Sequence, residues 1–545
     1  MTPQLALTDV GQAFREHEVL LTGANGFLGK VILGLILDRF PDFNHLHILL
    51  RRRGELSASE RFFSETLGSP ALQSVVQRRG LDTFRSRITV WPGDISQADC
   101  GIDAAGLEGL GTRASLVINC AGNVDFFAPV DQSFASNVDG VEHVVALTRS
   151  LGAKLLHVST CYVRGQADGL VEETEPILGF YPRRSGPEDA SFNHADEITY
   201  CRERIRHIYR SAQGSSAGWE TGDEASGADA RGKDLTDRLI TLGRQRAEHW
   251  GWVNTYTYAK SLGEQIIAAA DDLDWAIVRP AIVESALNFP FPGWIEGGRT
   301  AAPLVLMALG GLKDWPVRKD MPLEVVPVDM VASAILVAGA LLLDGRHEAV
   351  YQLGTADVNP LLLGPLVTLL DAEARRRRNG TSREAGHGNG TELPPLVGRW
   401  LGAAPGRPVR FVSAKDANEL RQAKKKRNAK INSIINTINK MDFSRHLPGG
   451  QFLASLATAL RTVELQAGFR ERILDQYLPF ILENCYIFES ENIRAAYAQI
   501  PVKARELLPW NPEQIDWKSY WINNQIPGVE RWVQPEAVKK WTFKI

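Results

Sequence analysis

"LLTGANGFLGK", residues 20–30, sets Gly23, Gly26 and Gly29 at the junction of two different patterns. The run before it, "EVLLT" (18–22), reads as a strand, and "GFLGKVILGLILDRF" (26–40) reads as a helix. Glycines at such a junction allow a tight turn and let backbone approach a pyrophosphate closely. The helix that follows supplies free N–H donors and a partial positive charge. Three glycines alone would suit any turn. Their place between the first strand and the first helix makes this a dinucleotide-binding signature, with Thr22, Asn25, Phe27 and Leu28 completing the cofactor-binding turn.

Outward from that turn, apolar runs alternate with helical stretches. "LHILL" (46–50), "RITVWPGD" (87–94), "ASLVINCAG" (114–122), "AKLLHVST" (153–160) and "DWAIVRPAIV" (274–283) read as further strands. Strands separated by helices predict an α/β fold: a Rossmann-like, doubly wound parallel sheet with right-handed crossovers. Residues 164–250 are polar and helical in composition and are expected to form an inserted substrate lobe. Inside it, the Gly/Ser/Ala-rich 211–232 is expected to be a mobile surface loop. A second low-complexity stretch, "RRRRNGTSREAGHGNGTE" (375–392), reads as a linker. The expected organisation is therefore a reductase domain over 1–374 and a mainly helical C-terminal domain over 393–545.

Composition narrows the class. The 545 residues carry a formal net charge of −3, which offers nucleic acid no attraction. Five scattered cysteines form no CxxC and no metal-ligand spacing, so no metal site is expected and the compartment reads as reducing and cytoplasmic. The N-terminal stretch lacks the basic flank and apolar core of a signal peptide. "MVASAILVAGALLL" (330–343), bounded by Asp329 and Asp344, falls short of the ~18–20 apolar residues of a bilayer span and is expected to be a buried helix. At most a peripheral membrane contact is expected, and no pattern sets an oligomeric state.

The site residues follow from the strand ends. The spacing GxxGxxG points to the extended short-chain dehydrogenase/reductase group. After the second strand comes "RRRG" (51–54), with no acid in reach to hold a ribose 2′-hydroxyl. Arg51 and Arg52 suit a 2′-phosphate instead, so NADPH is expected rather than NADH. Asp94 ends the third strand and is expected to face the adenine. Ala121, in "NCAG" (119–122), lies where backbone passes the cofactor, and Asn137 is expected to support the strand ends from a helix. In "NTYTYAKSLGEQ" (254–265) helical geometry pairs Tyr256 with Lys260 and turns Tyr258 away, since residues two apart lie about 200° round. A nearby ammonium is expected to lower the phenol's pKa, and the lysine can also hold the nicotinamide ribose. "HVSTCYV" (157–163) puts two hydroxyls at the fifth strand's end. Thr160 is chosen to hold a substrate carbonyl oxygen, with Ser159 in reserve; Cys161 reads as a packed thiol.

These motifs together resemble the fatty acyl-CoA reductases, and among them the bacterial alcohol-forming members. The resemblance rests on "TGANGFLGK", "VSTCYV", "YTYAKSLGEQ", "IVRPAIVESALNFPFPGWIEG" (277–297), "VVPVDMV" (325–331), "VYQLGTADVNP" (350–360) and "IDWKSYW" (515–521), nearly the whole chain. "PFPGWIEG" after an "RP" strand is no generic feature of short-chain reductases. The resemblance implies that Gly23, Gly26, Gly29 and Arg51 or Arg52 bind NADPH. It implies that Thr160, Tyr256 and Lys260 carry catalysis, while Pro292, Gly293 and Trp294 shape the acyl site. The implied chemistry is hydride reduction of a fatty acyl-CoA thioester through a hemithioacetal and an aldehyde to a primary alcohol, with release of CoA. Stopping at the aldehyde is the alternative, and a nucleotide-sugar epimerase or dehydratase is a more distant one. A redox-sensing module without catalysis would commonly lack the tyrosine or the lysine. The lengths of 211–232 and 375–392 depart from the family pattern.

One further motif stands apart. "AKKKRNAKINSIINTINKM" (423–441) puts Ile431, Ile434, Ile435 and Ile438 on one helical face beside Lys424–Lys426 and Arg427. It reads either as a helix packed on the C-terminal core or as one that meets anionic lipid or the CoA phosphates.

Overall fold

The computed structural model describes residues 7–186, 188–214, 224–298, 300–384, 407–413, 471, 473–535 and isolated positions between 415 and 433. Seven strands form one wholly parallel sheet: β1 (Glu18–Thr22), β2 (Leu46–Leu50), β3 (Ile88–Pro92), β4 (Ala114–Asn119), β5 (Lys154–Val158), β6 (Trp275–Pro280) and β7 (Val350–Leu353). Their order across the sheet is β7–β6–β5–β4–β1–β2–β3. The chain thus winds one way from β1 and the other way from β4. Between those two neighbours lies the switch point at which doubly wound sheets bind ligands, beyond the strands' carboxyl ends. Every residue of β2 is buried, as expected of a parallel sheet covered on both faces.

The helices include α1 (Phe27–Arg39), α2 (Val130–Asn137), α3 (Asp139–Leu151), α4 (His194–Gly214), α5 (Glu224–Trp250), α6 (Thr255–Ala268), α7 (Val328–Leu343) and α8 (Leu363–Glu384). The apolar run at 330–343 is α7, buried from Val328 through Leu342. Among the described residues no helix is long and apolar enough to cross a membrane.

Several expectations are corrected. Residues 211–214 close α4 and 224–232 open α5, so the described parts of the supposed loop are helical; Ala, Glu and Arg favour that state. Residues 375–384 are likewise helix. Arg375, Arg376 and Arg377 pair with Asp371 and Glu373 three or four positions back, which turns a charged stretch into a supported helical face. "DWAIVRPAIV" divides at Pro280. Ile282–Glu284 leaves the main sheet to pair with Val325–Pro327.

The chain forms two compact units, and none of the boundaries between them falls in the expected linker. One unit comprises Met1–Arg299, Glu324–Pro360 and Tyr486–Asp516; the other comprises Thr300–Leu323, Leu361–Cys485 and Trp517–Ile545. The late return to the first unit has a physical cause. The buried Glu324 carboxylate accepts N–H bonds from Phe488 (2.8 Å) and Thr355 (2.9 Å), and Glu173 accepts from Asn492 (2.8 Å) and Gln352 (2.7 Å). Tyr162 lies edge-on to both Tyr486 and Phe488, whose ring centroids are 5.1 and 5.3 Å away. In the second unit Asp314–Trp315 pairs with Arg410–Phe411, and Lys313 forms a buried ion pair with Asp371. Of the basic 423–441 helix, Lys424, Lys425, Arg427 and the four isoleucines lie outside the described residues.

Candidate active site

The glycine turn is built from close approaches that only glycine tolerates. Gly23 has φ +72°, and a Cβ there would sit 2.7 Å from the Cys120 carbonyl carbon. At Gly29 a Cβ would fall 2.1 Å from the Gly23 oxygen, so α1 could not pack against the turn. Gly26 is exposed and caps α1 without a side-chain hydrogen bond, which leaves the helix's first N–H groups open to an anion. Thr22 accepts the Ala121 N–H (3.1 Å) and donates to Asn119 Oδ1 (2.7 Å), locking the ends of β1 and β4 together. Thr66 donates to Asn25 Oδ1 (3.0 Å), while Phe27 and Leu28 are half-buried in the first turn of α1. These residues fit a dinucleotide pyrophosphate.

At the end of β2, Arg51 and Arg52 are exposed. Arg51 lies 3.5 Å from the Asp94 carboxylate, which also accepts the Ser96 N–H (3.0 Å) and hydroxyl (2.8 Å). Arg53 is engaged with Glu65. Asn137, the last residue of α2, grips Asn123 through both backbone groups (3.0 and 2.8 Å) and so fixes the segment after β4.

Asn254 caps α6 by accepting the Thr257 N–H (2.9 Å), and that start sets which tyrosine faces the strand ends. Tyr256 and Lys260 share a face one turn apart. The half-buried Tyr256 lies close to Thr160, whose hydroxyl donates to the Pro280 carbonyl (3.3 Å). The Ser159 hydroxyl is buried without a hydrogen bond, so Thr160 is the hydroxyl brought to the tyrosine. Lys260 is 4% exposed; its Nζ donates to the Val158 carbonyl (2.7 Å) and lies 3.1 Å from His157 Nε2. Burial drives the Lys260 pKa down to about 8. The expected lowering of the Tyr256 pKa is not what this geometry gives: burial raises it, outweighing the nearby Thr160 hydroxyl. A phenol held protonated at neutral pH is a proton donor. Cys161 gives its thiol hydrogen to the Arg279 carbonyl (2.7 Å), and burial holds its pKa well above the ordinary thiol value, as befits a packed thiol.

Residues 21–335 match the male sterility protein family of NAD-binding domains. The chain belongs to that family. Fatty acyl-CoA reductase 1 of Arabidopsis thaliana is 26% identical over 537 residues, covering 94% of this chain and 96% of that protein. The alcohol-forming fatty acyl-CoA reductase of Simmondsia chinensis is 26% identical over 524 residues, with the same coverage of 94% and 96%. Among solved structures, a nonribosomal peptide synthetase reductase domain from Mycobacterium tuberculosis is similar at a TM-score of 0.47 and 19% identity, covering 97% of this chain and 95% of that one.

The male sterility domain also contains supports that motif reading did not find. Tyr258, fully buried, donates to Glu197 of α4 (2.5 Å), and Arg246 of α5 grips the same carboxylate (2.9 and 2.6 Å). The second tyrosine therefore ties the inserted lobe to α6. Arg279 of β6 is buried and bidentate to Glu264 of α6 (3.0 and 2.6 Å). A charged residue inside an apolar strand was the available signal. Asp329, the acid of "VVPVDMV", accepts the N–H groups of Leu287 (2.8 Å), Asn288 (2.8 Å) and Phe289 (3.0 Å). Lys30 of α1 bonds both carboxylate oxygens of Glu296 at 2.7 Å. Those two contacts hold the ends of the 285–297 segment. Within it, Pro292 is exposed, Gly293 has φ +79° and Trp294 is buried beside Phe291.

Proposed function

We propose that the protein is an NADPH-dependent fatty acyl-CoA reductase that carries a long-chain thioester through to the primary alcohol. One observation carries the reading: Thr160, Tyr256 and Lys260 converge beside a glycine turn built for a dinucleotide, in a chain aligned over 94% of its length with reductases of that name. Gly23, Gly26 and Gly29 would admit the pyrophosphate, with Arg51 and Arg52 toward a 2′-phosphate. The bound reduced nicotinamide supplies the hydride equivalents.

The chain's own residues do the rest. Thr160 and Tyr256 hydrogen-bond the thioester oxygen as it gains negative charge, and Tyr256 gives it a proton. The Lys260 ammonium stabilises the phenolate left behind. Breakdown of the hemithioacetal releases CoA and leaves an aldehyde, whose oxygen meets the same hydroxyls in a second reduction. The segment 285–297, with Pro292, Gly293 and Trp294, would border the acyl chain.

The test is purified protein with palmitoyl-CoA, following NADPH oxidised per CoA released. A ratio near two supports the alcohol, a ratio near one restricts the reading to the aldehyde, and no oxidation removes it. Arg51→Ala with Arg52→Ala should weaken NADPH binding more than NADH binding in a fluorescence titration; equal losses would place 2′-phosphate recognition elsewhere.

A further inference from the structure

A buried chain of side chains runs from the cofactor turn to the Lys260 amine. It begins at Thr22 on β1, crosses to Asn119 on β4 and then to His157 on β5, and ends at Lys260 on α6. All four are at most 4% exposed. The spacings are 2.7 Å from Thr22 Oγ1 to Asn119 Oδ1, 3.0 Å from Asn119 Nδ2 to His157 Nδ1 and 3.1 Å from His157 Nε2 to Lys260 Nζ.

The chain has a direction. The Ala121 N–H is given to Thr22 Oγ1, so the threonine's own hydrogen is free to go to Asn119 Oδ1. Reversing the Asn119 amide would strand that buried hydroxyl hydrogen. With Oδ1 facing Thr22, the amide nitrogen faces His157 Nδ1, and an amide nitrogen can only donate. Nδ1 is therefore an acceptor. Burial, followed by the lysine charge, holds the imidazole neutral, so its one proton lies on Nε2. That N–H points at Lys260 Nζ.

We propose that His157 is a positioning residue for the Tyr256–Lys260 pair: through the ordered chain Thr22–Asn119–His157 it aims a hydrogen-bond donor at the lysine amine and favours its neutral form. The inference rests on the reductase reading only in giving Lys260 a task. A donor facing Nζ opposes its charged state, whereas the Val158 carbonyl fixes its place. The other titratable groups near the amine are Tyr256 and Glu264 on α6, with Glu264 ion-paired to Arg279 of β6, and Cys120 after β4, a thiol pushed up to about 12 by burial. None of them is hydrogen-bonded to Nζ, whose partners are His157 and the Val158 carbonyl.

The test compares wild type with His157→Leu, which keeps buried volume but has no nitrogen. The alkaline midpoint of the kcat/KM profile should rise by at least about half a pH unit, roughly threefold in proton affinity. His157→Gln, whose amide can offer an N–H, should bring the midpoint most of the way back. Thr22→Val, which frees the Asn119 amide to turn over, should move it in the same direction as leucine and carries the test should leucine prevent folding. Equal midpoints in wild type and variant, or a loss of equal depth at every pH, would reduce His157 to packing and overturn the proposal. An inactive wild-type protein defeats the acyl-CoA reading alone. The shift is then read in the pH dependence of NADPH affinity by nicotinamide fluorescence, where equal midpoints again overturn this inference.

Discussion

Tyr256 and Tyr258 differ only in phase along one helix, yet they face opposite kinds of work. Tyr256 meets Thr160 at the strand ends, whereas Tyr258 is fully buried and hydrogen-bonded to Glu197. Replacing Tyr256 by phenylalanine removes the proposed proton donor and should lower kcat by at least ~10²-fold, with NADPH affinity retained in a fluorescence titration. Near-normal turnover would take Tyr256 out of the reaction. The lysine predicts a pH dependence. Its folded pKa is about 8, lowered by burial, so the amine is charged below that pH and loses its charge above it. kcat/KM for palmitoyl-CoA should therefore fall on the alkaline side near pH 8; a profile flat to pH 10 would contradict the role given to the ammonium. At this scale the sequence was largely readable. The interval of four between Tyr256 and Lys260 is a local rule of helices, and the glycine spacing is a local rule of turns. The direction of the tyrosine's pKa shift was misread, because burial is a property of the folded surroundings. The Thr22–Asn119–His157 chain was out of reach for a related reason: its members come from three strands and no spacing links them.

Among elements, the 285–297 segment shows how irregular backbone is held in place. Asp329 receives three consecutive N–H groups at the N-terminal end of α7, and Lys30 anchors Glu296 from α1. Asp329→Ala would leave three donors without their acceptor and should cost about 2–4 kcal/mol of stability. Thermal unfolding should show it as a drop of several degrees, and acyl-CoA KM should rise as the segment loosens. An unchanged melting temperature would mean that water replaces the carboxylate without loss. The strands β1 to β6 were legible because a parallel sheet buried on both faces leaves short apolar runs. β7 is harder to see, since "VYQL" has one polar residue in four and no helix-sized pattern beside it. The helical stretches at 224–232 and 375–384 were misread from composition, because Gly, Ser and repeated Arg suggest a loop until their ion pairs and neighbours are known.

For the whole molecule, cutting the chain at its low-complexity stretch is the wrong division. Phe488 and Asn492 satisfy the buried carboxylates of Glu324 and Glu173, and Tyr486 donates to the Gly165 carbonyl (2.7 Å). A fragment of residues 1–374 would leave those groups short of partners and open the aromatic cluster around Tyr162. It should be insoluble or lack a cooperative melting transition by circular dichroism, while the full chain melts cooperatively. A stable, NADPH-binding fragment would show that the last segment is dispensable. Long-range return of this kind leaves no local trace in sequence, which is why the boundary was misplaced.

The order in which segments belong to the first unit, 1–299, 324–360 and then 486–516, also constrains its birth on the ribosome. At roughly 5–20 residues emerging per second, several seconds separate the synthesis of β7 from that of the segment that covers Glu324 and Tyr162. During that interval a nearly finished nucleotide-binding sheet waits with a sticky aromatic flank uncovered. Production of the protein in a foreign host should therefore be limited by chaperone supply during translation rather than by the stability of the finished fold.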